Sequence, residues 1–475
     1  MRVVMEAQRA FGQVPIEEIE FSPRSRDDIP VVLRGLLSIY KNAKTRAKVF
    51  ALLEGGVASG VSHKLGRRGM DLWRIFVLGM MKQALNCDFD RLTHMANYDK
   101  LLRQMLGHGG WRKGAEPAYH VQTIIDNVSL LSEELLGKIN EVVVVHGHAG
   151  LTKKARQEGL RCRVDSAVTK THVHWPTDVS LLSDAVGCLL RESARMSRAH
   201  GMPGWRKASD WAKRLDRLFQ GVRRSRGWHR RDRVRKYLRH CRKLVKKALA
   251  SQRRLGVDCS DAWLHYLGCS LKLIDQVDRR LLRGEKIPHS EKIFSVHEPH
   301  TRWISKGKAG VQAELGLPVC VLEDQHQYIL HYQVLYKGVD SSMIVNFLRE
   351  AKTLYPSLTL CSMDTGYSSE HNRRALEQIL ELVIMPKRGR LSHADKARAS
   401  VPDFVEGRRQ HPAVESAINN LNQRGLDLVR THGKEGFGRT VALSVVAANV
   451  HRLGLQLKRK EERLKRWHQA RKRAA

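Results

Sequence analysis

Three carboxylates carry the clearest chemistry in this sequence. Asp165 interrupts the β-branched run RCRVDSAVTKTHVHW, and Asp364 stands where LTLCSM gives way to Thr365-Gly366-Tyr367. Both read as strand positions, the second at the carboxyl end where open sheets present ligands. Glu415 begins an amphipathic segment, HPAVESAINNLNQRGLDLV. Val414, Ile418 and Leu421 form its apolar face, and Glu415, Asn419 and Asn422 share the adjacent one at i, i+4 and i+7. Hard carboxylate oxygens suit Mg2+ or Mn2+, and a pair of such ions about 4 Å apart is what phosphodiester chemistry needs in the absence of a covalent enzyme intermediate. Taken singly, each aspartate reads more readily as a turn or cap residue, and it is the third carboxylate that moves the balance. Glu406 competes for the third position, but no helical face surrounds it in the sequence.

Other candidates are weaker. His146 with His148, and His172 with His174, could ligate zinc, yet no further Cys or His completes a tetrahedral set. The eight cysteines include no C-x-x-C pair and read as reduced thiols. Arg302, Trp303, Lys306 and Lys308 combine bases with an aromatic in a polar loop, which suits backbone contact with base stacking or, equally, a loop folded over a hairpin. Lys387, Arg388 and Arg390 follow a strand end, and Arg408 and His411 lie just upstream of Glu415. Their basic character suits phosphate. No Walker loop, G-x-S-x-G elbow or H-E-x-x-H motif occurs.

The charge balance points the same way. With 84 Lys+Arg against 48 Asp+Glu the formal charge is +36, and such an excess favours a polyanionic partner, nucleic acid first. No stretch of about eighteen apolar residues is present to span a bilayer. The opening MRVVMEAQRAFGQVPIEEIE has neither the order nor the cleavage site of a secretory signal, so a cytoplasmic location is expected.

The elements that would position these groups follow from periodicity. Val31 to Leu53, Met70 to Leu85, Asp88 to Leu106 and Val121 to Val142 repeat apolar residues at helical spacing, which fits a helix-turn-helix unit or a plain helical bundle. Residues 161–175 read as a strand ended by Pro176. Thr177 to about Leu282 reads as an all-helical insert, so basic between Gly221 and Leu255 that a solvated face is the poorer account and phosphate contact the better one. PVCVLED and YILHYQVLY form an antiparallel hairpin around Gln325-His326-Gln327. A helix from Asp340 to Tyr355, a strand ending at Asp364, the helix SEHNRRALEQIL and the strand LVIMP then give α/β order. A polar loop, a helix from Pro412 to about Arg424 and another from Thr440 to Leu457 follow. The tail LKRKEERLKRWHQARKRAA lacks a wide apolar face and is expected to order only on nucleic acid.

Four blocks, VDSAVTKTHVHWPTDVSLL, EPHTRWISKGKAG with LGLPVCVLEDQHQYILHYQVL, MDTGYSSEHNRRALE, and AVESAINNLNQRGLDLVRTHGKEGFGRTVALSVVAANVHRLGLQL, closely resemble bacterial insertion-sequence transposases of the DDE class, ISNCY type. The resemblance covers about Asp71 to Gln456. It implies a ribonuclease-H-like catalytic core, formed by 155–176 and 290–456, with Asp165 on the first strand. It further implies Asp364 in a D-x-G-Y turn with Gly366 and Tyr367, and Glu415 on a late helix. Residues 1–150 become a helical region that binds DNA ends, 177–289 the insertion, and 457–475 a basic tail. The implied activity is metal-dependent cleavage at transposon ends and strand transfer into target DNA. Double-stranded DNA, both terminal inverted repeats and target, is the implied partner, with a homodimer or larger assembly and no membrane. Many related transposases carry Tyr, Arg and Lys where this chain has Arg408, His411 and Asn422. The alternative is a catalytically inactive, transposase-derived, sequence-specific DNA-binding protein.

Overall fold

The computed structural model describes residues 2–5, 14–22, 25–57, 69–108, 119–256, 258–305, 313–338, 340–387 and 389–474. Its packing falls into two compact units, one of Met1–Lys170 with Leu317–Ala475, the other of Thr171–Gly316.

The first unit opens with helices α1 (Asp28–Lys41), α2 (Ala43–Val57), α3 (Leu72–Ala84), α4 (Phe89–Tyr98), α5 (Lys100–Met105), α6 (Val121–Val128), α7 (Glu133–Ala149) and α8 (Lys153–Gln157). Three of the four expected helices are each broken in two, and at every break a short polar side chain explains why. Asn42 leaves helical geometry and its carboxamide accepts from Thr45 N at 2.9 Å. Asp99 accepts from Leu102 N at 2.8 Å, and Ser132 accepts from Leu135 N. Capping oxygens satisfy amides that a new helix leaves unpaired, so such residues restart a helix rather than continue one.

Strand β1 (Leu160–Thr171) then passes into the second unit. That unit is built from α9 (Asp178–Ala199), α10 (Ala208–Arg223), α11 (Trp228–Leu255) and α12 (Asp261–Val277), closed by a π-helical turn at Asp278–Arg283. The predicted all-helical insert is therefore present. Leu182, Val186, Leu189, Tyr237, Leu238, Leu244 and Leu273 form its core. The polar tips of its buried rings are satisfied: Trp263 Nε1 donates to Ser193 Oγ and Tyr237 Oη to Val179 O. Strand β2 (Arg302–Ile304) pairs antiparallel with the first residues of β3 (Glu314–Asp324), so Arg302 and Trp303 stand on a strand and not in the loop expected for them. Backbone pairing with Gly316 and Leu315 is the reason.

After β3 the chain adds β4 (Ile329–Val334), α13 (Asp340–Leu354), β5 (Leu358–Met363), α14 (Glu370–Glu377) and β6 (Leu382–Ile384). The hairpin of β3 and β4 is antiparallel as expected, while β5 runs parallel to both β1 and β6. The sheet order is β2-β3-β1-β5-β6, with β4 on β3 and the short β7 (Leu428–Val429) on β1. The sheet is thus open and mixed. Cys162, Val164, Cys320, Leu322, Cys361 and Met363 face one core together with Phe347 and Leu348 of α13. Leu317, Val319 and Val321 face the opposite one, against Phe437, Val441 and Val445.

The stretch expected as a polar loop before Glu415 is instead two short helices, α15 (His393–Ala399) and α16 (Pro402–Gln410). Ser392 and Asp395 form a capping box, and Pro402 occupies the first turn, where its missing N–H costs nothing. Then come α17 (Ala413–Leu421), a kinked turn at Asn422–Leu426 in which Arg424 and Gly425 leave helical geometry, and α18 (Gly433–Ala474). Helix α18 absorbs both the expected helix and the tail. Lys, Arg, Glu and Leu are strong helix formers, and a buried stem from Phe437 to Leu453 supplies the nucleus that an isolated tail would lack.

A buried amide network joins α7 and α18 to the start of β4. Asn449 Oδ1 accepts from Ile329 N, and its Nδ2 donates to Asn140 Oδ1 and Ile329 O. Asn449→Leu should cost about 3 kcal/mol in denaturant unfolding, because it orphans buried backbone groups. A change within about 0.5 kcal/mol would show that the network carries no stability.

Candidate active site

Register brings the two aspartates together. In the parallel pair of β1 and β5, Cys162 lies opposite Cys361, Arg163 opposite Ser362, and Val164 opposite Met363. The next residues along each chain are Asp165 and Asp364. Neighbouring strands run about 4.8 Å apart and in-register side chains alternate in step, so the two carboxylates leave the sheet side by side. Val164 and Met363 point into the α13 core, which sends Asp165 and Asp364 to the other face. On that face Leu360 and Ile384 pack against Phe404 of α16.

Each aspartate is oriented by the backbone just beyond it. Ser166 N donates to Asp165 Oδ1 at 2.7 Å, and Thr365 N donates to Asp364 Oδ1 at 2.7 Å. Asp364 is exposed and caps the short turn Thr365–Tyr367, whose Tyr367 ring is buried beneath it.

The face is built up by residues that do not stand out in the sequence. Arg163, two positions before Asp165, donates to Asp324 O at 3.0 Å and to Gln410 O at 3.3 Å, tying β1 to the C-terminus of α16. Ser362 Oγ lies 3.1 Å from His411 Nδ1. Burial pushes the His411 imidazole down; Asp364 and Glu415 pull it up and Arg163 adds to the fall, so His411 feels both carboxylates. One helical turn later Glu415 stands exposed on α17, over the buried residues Val414, Ala417 and Leu421. Ile418, expected inward, is only half-buried. The alternation that singled out Asp165 also places Arg163 on its face, and that was the available signal.

Glu406 requires a correction. It sits on α16, with Phe404 and Gly407 buried beside it, so a helical face does surround it. Its Oε1 accepts from Gln410 Nε2 at 2.6 Å. Arg408 is exposed on the same helix. Lys387 Nζ is engaged by Asp395 at 3.0 Å. Arg302 and Trp303 belong to the second unit, where the Trp303 ring packs edge-on against Trp175 at 5.0 Å and near Phe294. Lys306, Lys308 and Arg388 lie outside the described residues.

The donor set fits a divalent cation in chemistry, since both aspartates offer hard oxygens from one strand-end ledge. Asp165, Asp364 and Glu415 are the residues that would hold it. Among the described residues, however, no group of three or more His, Cys, Asp or Glu side chains is arranged to hold a metal ion. Three of the four histidines singled out have other partners: His146 bonds Ser38 and Thr45, His148 bonds Asp324 at 2.6 Å, and His174 approaches Asp184. All eight cysteines are free thiols and six are buried.

Beneath Arg163 lies a buried acid. Burial pushes the Glu323 carboxyl up to about 7 from its ordinary 4.5, with Arg163, 3.0 Å away, pulling it down and Asp324 pushing it up. A folded-state value above the unfolded one means that the folded protein holds the proton more tightly. Stability from this group is therefore full below about 4.5, falls as pH rises toward about 7, and is flat beyond. Glu323→Gln should match wild type near pH 4.5 and exceed it near pH 8, by on the order of 3 kcal/mol. Parallel pH profiles of unfolding free energy for the two proteins would refute this.

No family model, curated protein or solved structure matches the chain. Among the described residues no helix is long and apolar enough to cross a membrane.

Proposed function

We propose that this protein is a DDE transposase that cuts DNA at transposon ends and transfers the freed strand into target DNA. The observation that carries the reading is the parallel register of β1 and β5, in which Val164 lies opposite Met363 and the next residue on each chain, Asp165 and Asp364, is carried toward the sheet face that also packs α16. Supporting it, Glu415 lies one helical turn beyond His411, which is tied to Ser362 two residues before Asp364. The strand order β4-β3-β1-β5-β6, with β1, β5 and β6 parallel and β3 and β4 antiparallel, supports a ribonuclease-H-like core.

In this reading Asp165, Asp364 and Glu415 bind Mg2+ or Mn2+, which when bound would activate the attacking oxygen and stabilise the leaving one. The chain's own residues do the positioning. Amides at Ser166 and Thr365 hold the two aspartates in a fixed orientation. Arg163 and His411 fasten the α16–α17 junction to the sheet, and so set where Glu415 can reach. Closure of that helix over the ledge on DNA binding would complete the three-carboxylate set. Exposed Arg408 stands on the adjoining helix, suited to a backbone phosphate. The N-terminal helices would recognise the terminal inverted repeats, with two or more copies bridging two ends.

The test uses the full chain with a duplex carrying the inverted repeats that flank its reading frame. Nicking at the repeat end in Mg2+, and none in EDTA, is the expected result. Equal cleavage without divalent metal would overturn the assignment. Binding of the repeat with no cleavage in either Mg2+ or Mn2+ would favour an inactive, transposase-derived DNA-binding protein.

A further inference from the structure

Helix α11 carries a built cationic groove that the carboxylate site does not use. Arg235, Arg239, Arg242, Lys243 and Lys246, with Leu282 from the π-helical turn, line an open cavity of about 490 Å³. At 3.6 residues per turn these five bases fall within about 100° of one helix face. The opposite face, Val234, Tyr237, Leu238, Cys241, Leu244 and Val245, is buried in the core of the second unit. The five basic residues are therefore all exposed, and the backbone that carries them is fixed.

Their local neutralisation is incomplete. Arg235 pairs with Asp232, and Arg242 shares Asp278 with Arg283. Arg239, Lys243 and Lys246 have no acidic partner among the described residues. Like charges at i, i+4 and i+7 repel when nothing of opposite sign lies between them, so the groove is best neutralised from outside. Its wall is also held in place: Arg231 donates to Leu282 O at 2.6 Å, fixing the turn that closes one side.

The dimensions select the anion. Arg235 to Lys246 spans about 16 Å at 1.5 Å per residue. Duplex DNA presents one negative charge per about 1.7 Å of axis, counting both strands, so a row of this length meets several consecutive phosphates on one strand. The lining has no Asn or Gln to read base edges and no aromatic ring to stack a splayed base. We infer that this groove binds the sugar-phosphate backbone of duplex DNA without regard to sequence, apart from the carboxylate site. The inference rests on the proposed function only for the role of that duplex as target DNA. A sequence-blind contact of this kind suits target DNA, whose sequence varies from one insertion to the next.

The test measures binding of full-length protein to a random-sequence duplex of about 30 base pairs, without divalent metal, across a range of salt. The triple variant R239Q/K243Q/K246Q should lose about a hundredfold in affinity near 0.1 M salt. The slope of log affinity against log salt should become shallower by about 2 to 3, since each lost phosphate contact contributes about 0.9. The variant K213Q/R214Q/R217Q removes the same charge from exposed positions on α10 and should change the slope far less. Equal losses in both variants would overturn the site, as would an unchanged slope in the groove variant. Tighter binding of inorganic tripolyphosphate or of single-stranded DNA than of the duplex, lost in the groove variant, would overturn the duplex assignment. D165N should keep the groove's binding. Metal-dependent cleavage with no groove effect removes this site alone, whereas a groove effect with no cleavage removes only the transposase reading.

Discussion

Asp165→Asn and Asp364→Asn should each abolish metal-dependent cleavage of end-containing DNA, with a loss of at least about a thousandfold, while leaving DNA affinity in EDTA unchanged. The magnitude follows from the role. Charge stabilisation by a bound divalent ion is worth several kcal/mol, and each 1.36 kcal/mol is tenfold in rate. Asn keeps the shape and can still accept the Ser166 or Thr365 amide, so the local turn survives. What it loses is the negative charge that would hold the cation in the proposed site. A second readout separates this from misfolding. Each variant should lose most of the melting-temperature rise that a bound Mg2+ would give wild type, while unfolding without metal as a cooperative fold like wild type. Full cleavage activity in either variant would sink the site. Glu415→Gln should follow the same pattern; cleavage retained there but lost in Glu406→Gln would move the third carboxylate to α16.

Gly454→Ala should destabilise the first unit by about 3 kcal/mol or more, because the added methyl group meets backbone. Helices α1 and α18 cross with almost no space between their backbones. A Cβ at Gly454 would meet the carbonyl oxygen of Val31, and a Cβ at Gly35 would meet that of Val450. Neither obstacle is the far end of a pliable side chain. The helices would have to separate, and the core formed by Leu33, Leu36, Val446 and Val450 would loosen with them. Gly268 supplies the contrast. It lies in α12 with nothing within 4 Å of its would-be Cβ, so Gly268→Ala should be neutral or stabilising by about 0.5–1 kcal/mol, as for any exposed helical glycine. Chemical denaturation of the two variants beside wild type checks both. Comparable midpoints for all three would show that the α1–α18 crossing can relax.

These outcomes mark how far the amino-acid order reaches. Composition and local patterning determined a good deal. The basic excess, the helical insert, the hairpin of β3 and β4, and the strand-helix-strand run through β5, α14 and β6 all follow from periods of 2 and 3.6 and from their punctuation. The two aspartates were legible because a charged residue in an apolar strand, or at its end, breaks the expected pattern. The capping signals at Asn42, Asp99, Ser132 and Ser392 were also present, but a run of apolar residues at helical spacing masked the first three. The last stood in a stretch too polar to read as helix. These are conflicts between local rules, and a single hydrogen bond decides each.

Other features exist only once the chain has closed on itself. Nothing in the linear order says that Val164 pairs with Met363, yet that register alone sets Asp165 beside Asp364; a slip of one residue would put one of them on the opposite face. Arg163 and His411 gain their roles from bonds to Gln410 O and Ser362, partners far away in sequence. Glu323 is perturbed because folding removes its water. The sequence by itself determined which carboxylates could do chemistry and what kind, since chemistry resides in side-chain type. Tertiary structure decided which of them meet, because proximity across a sheet is set by register and packing, to which no local pattern has access.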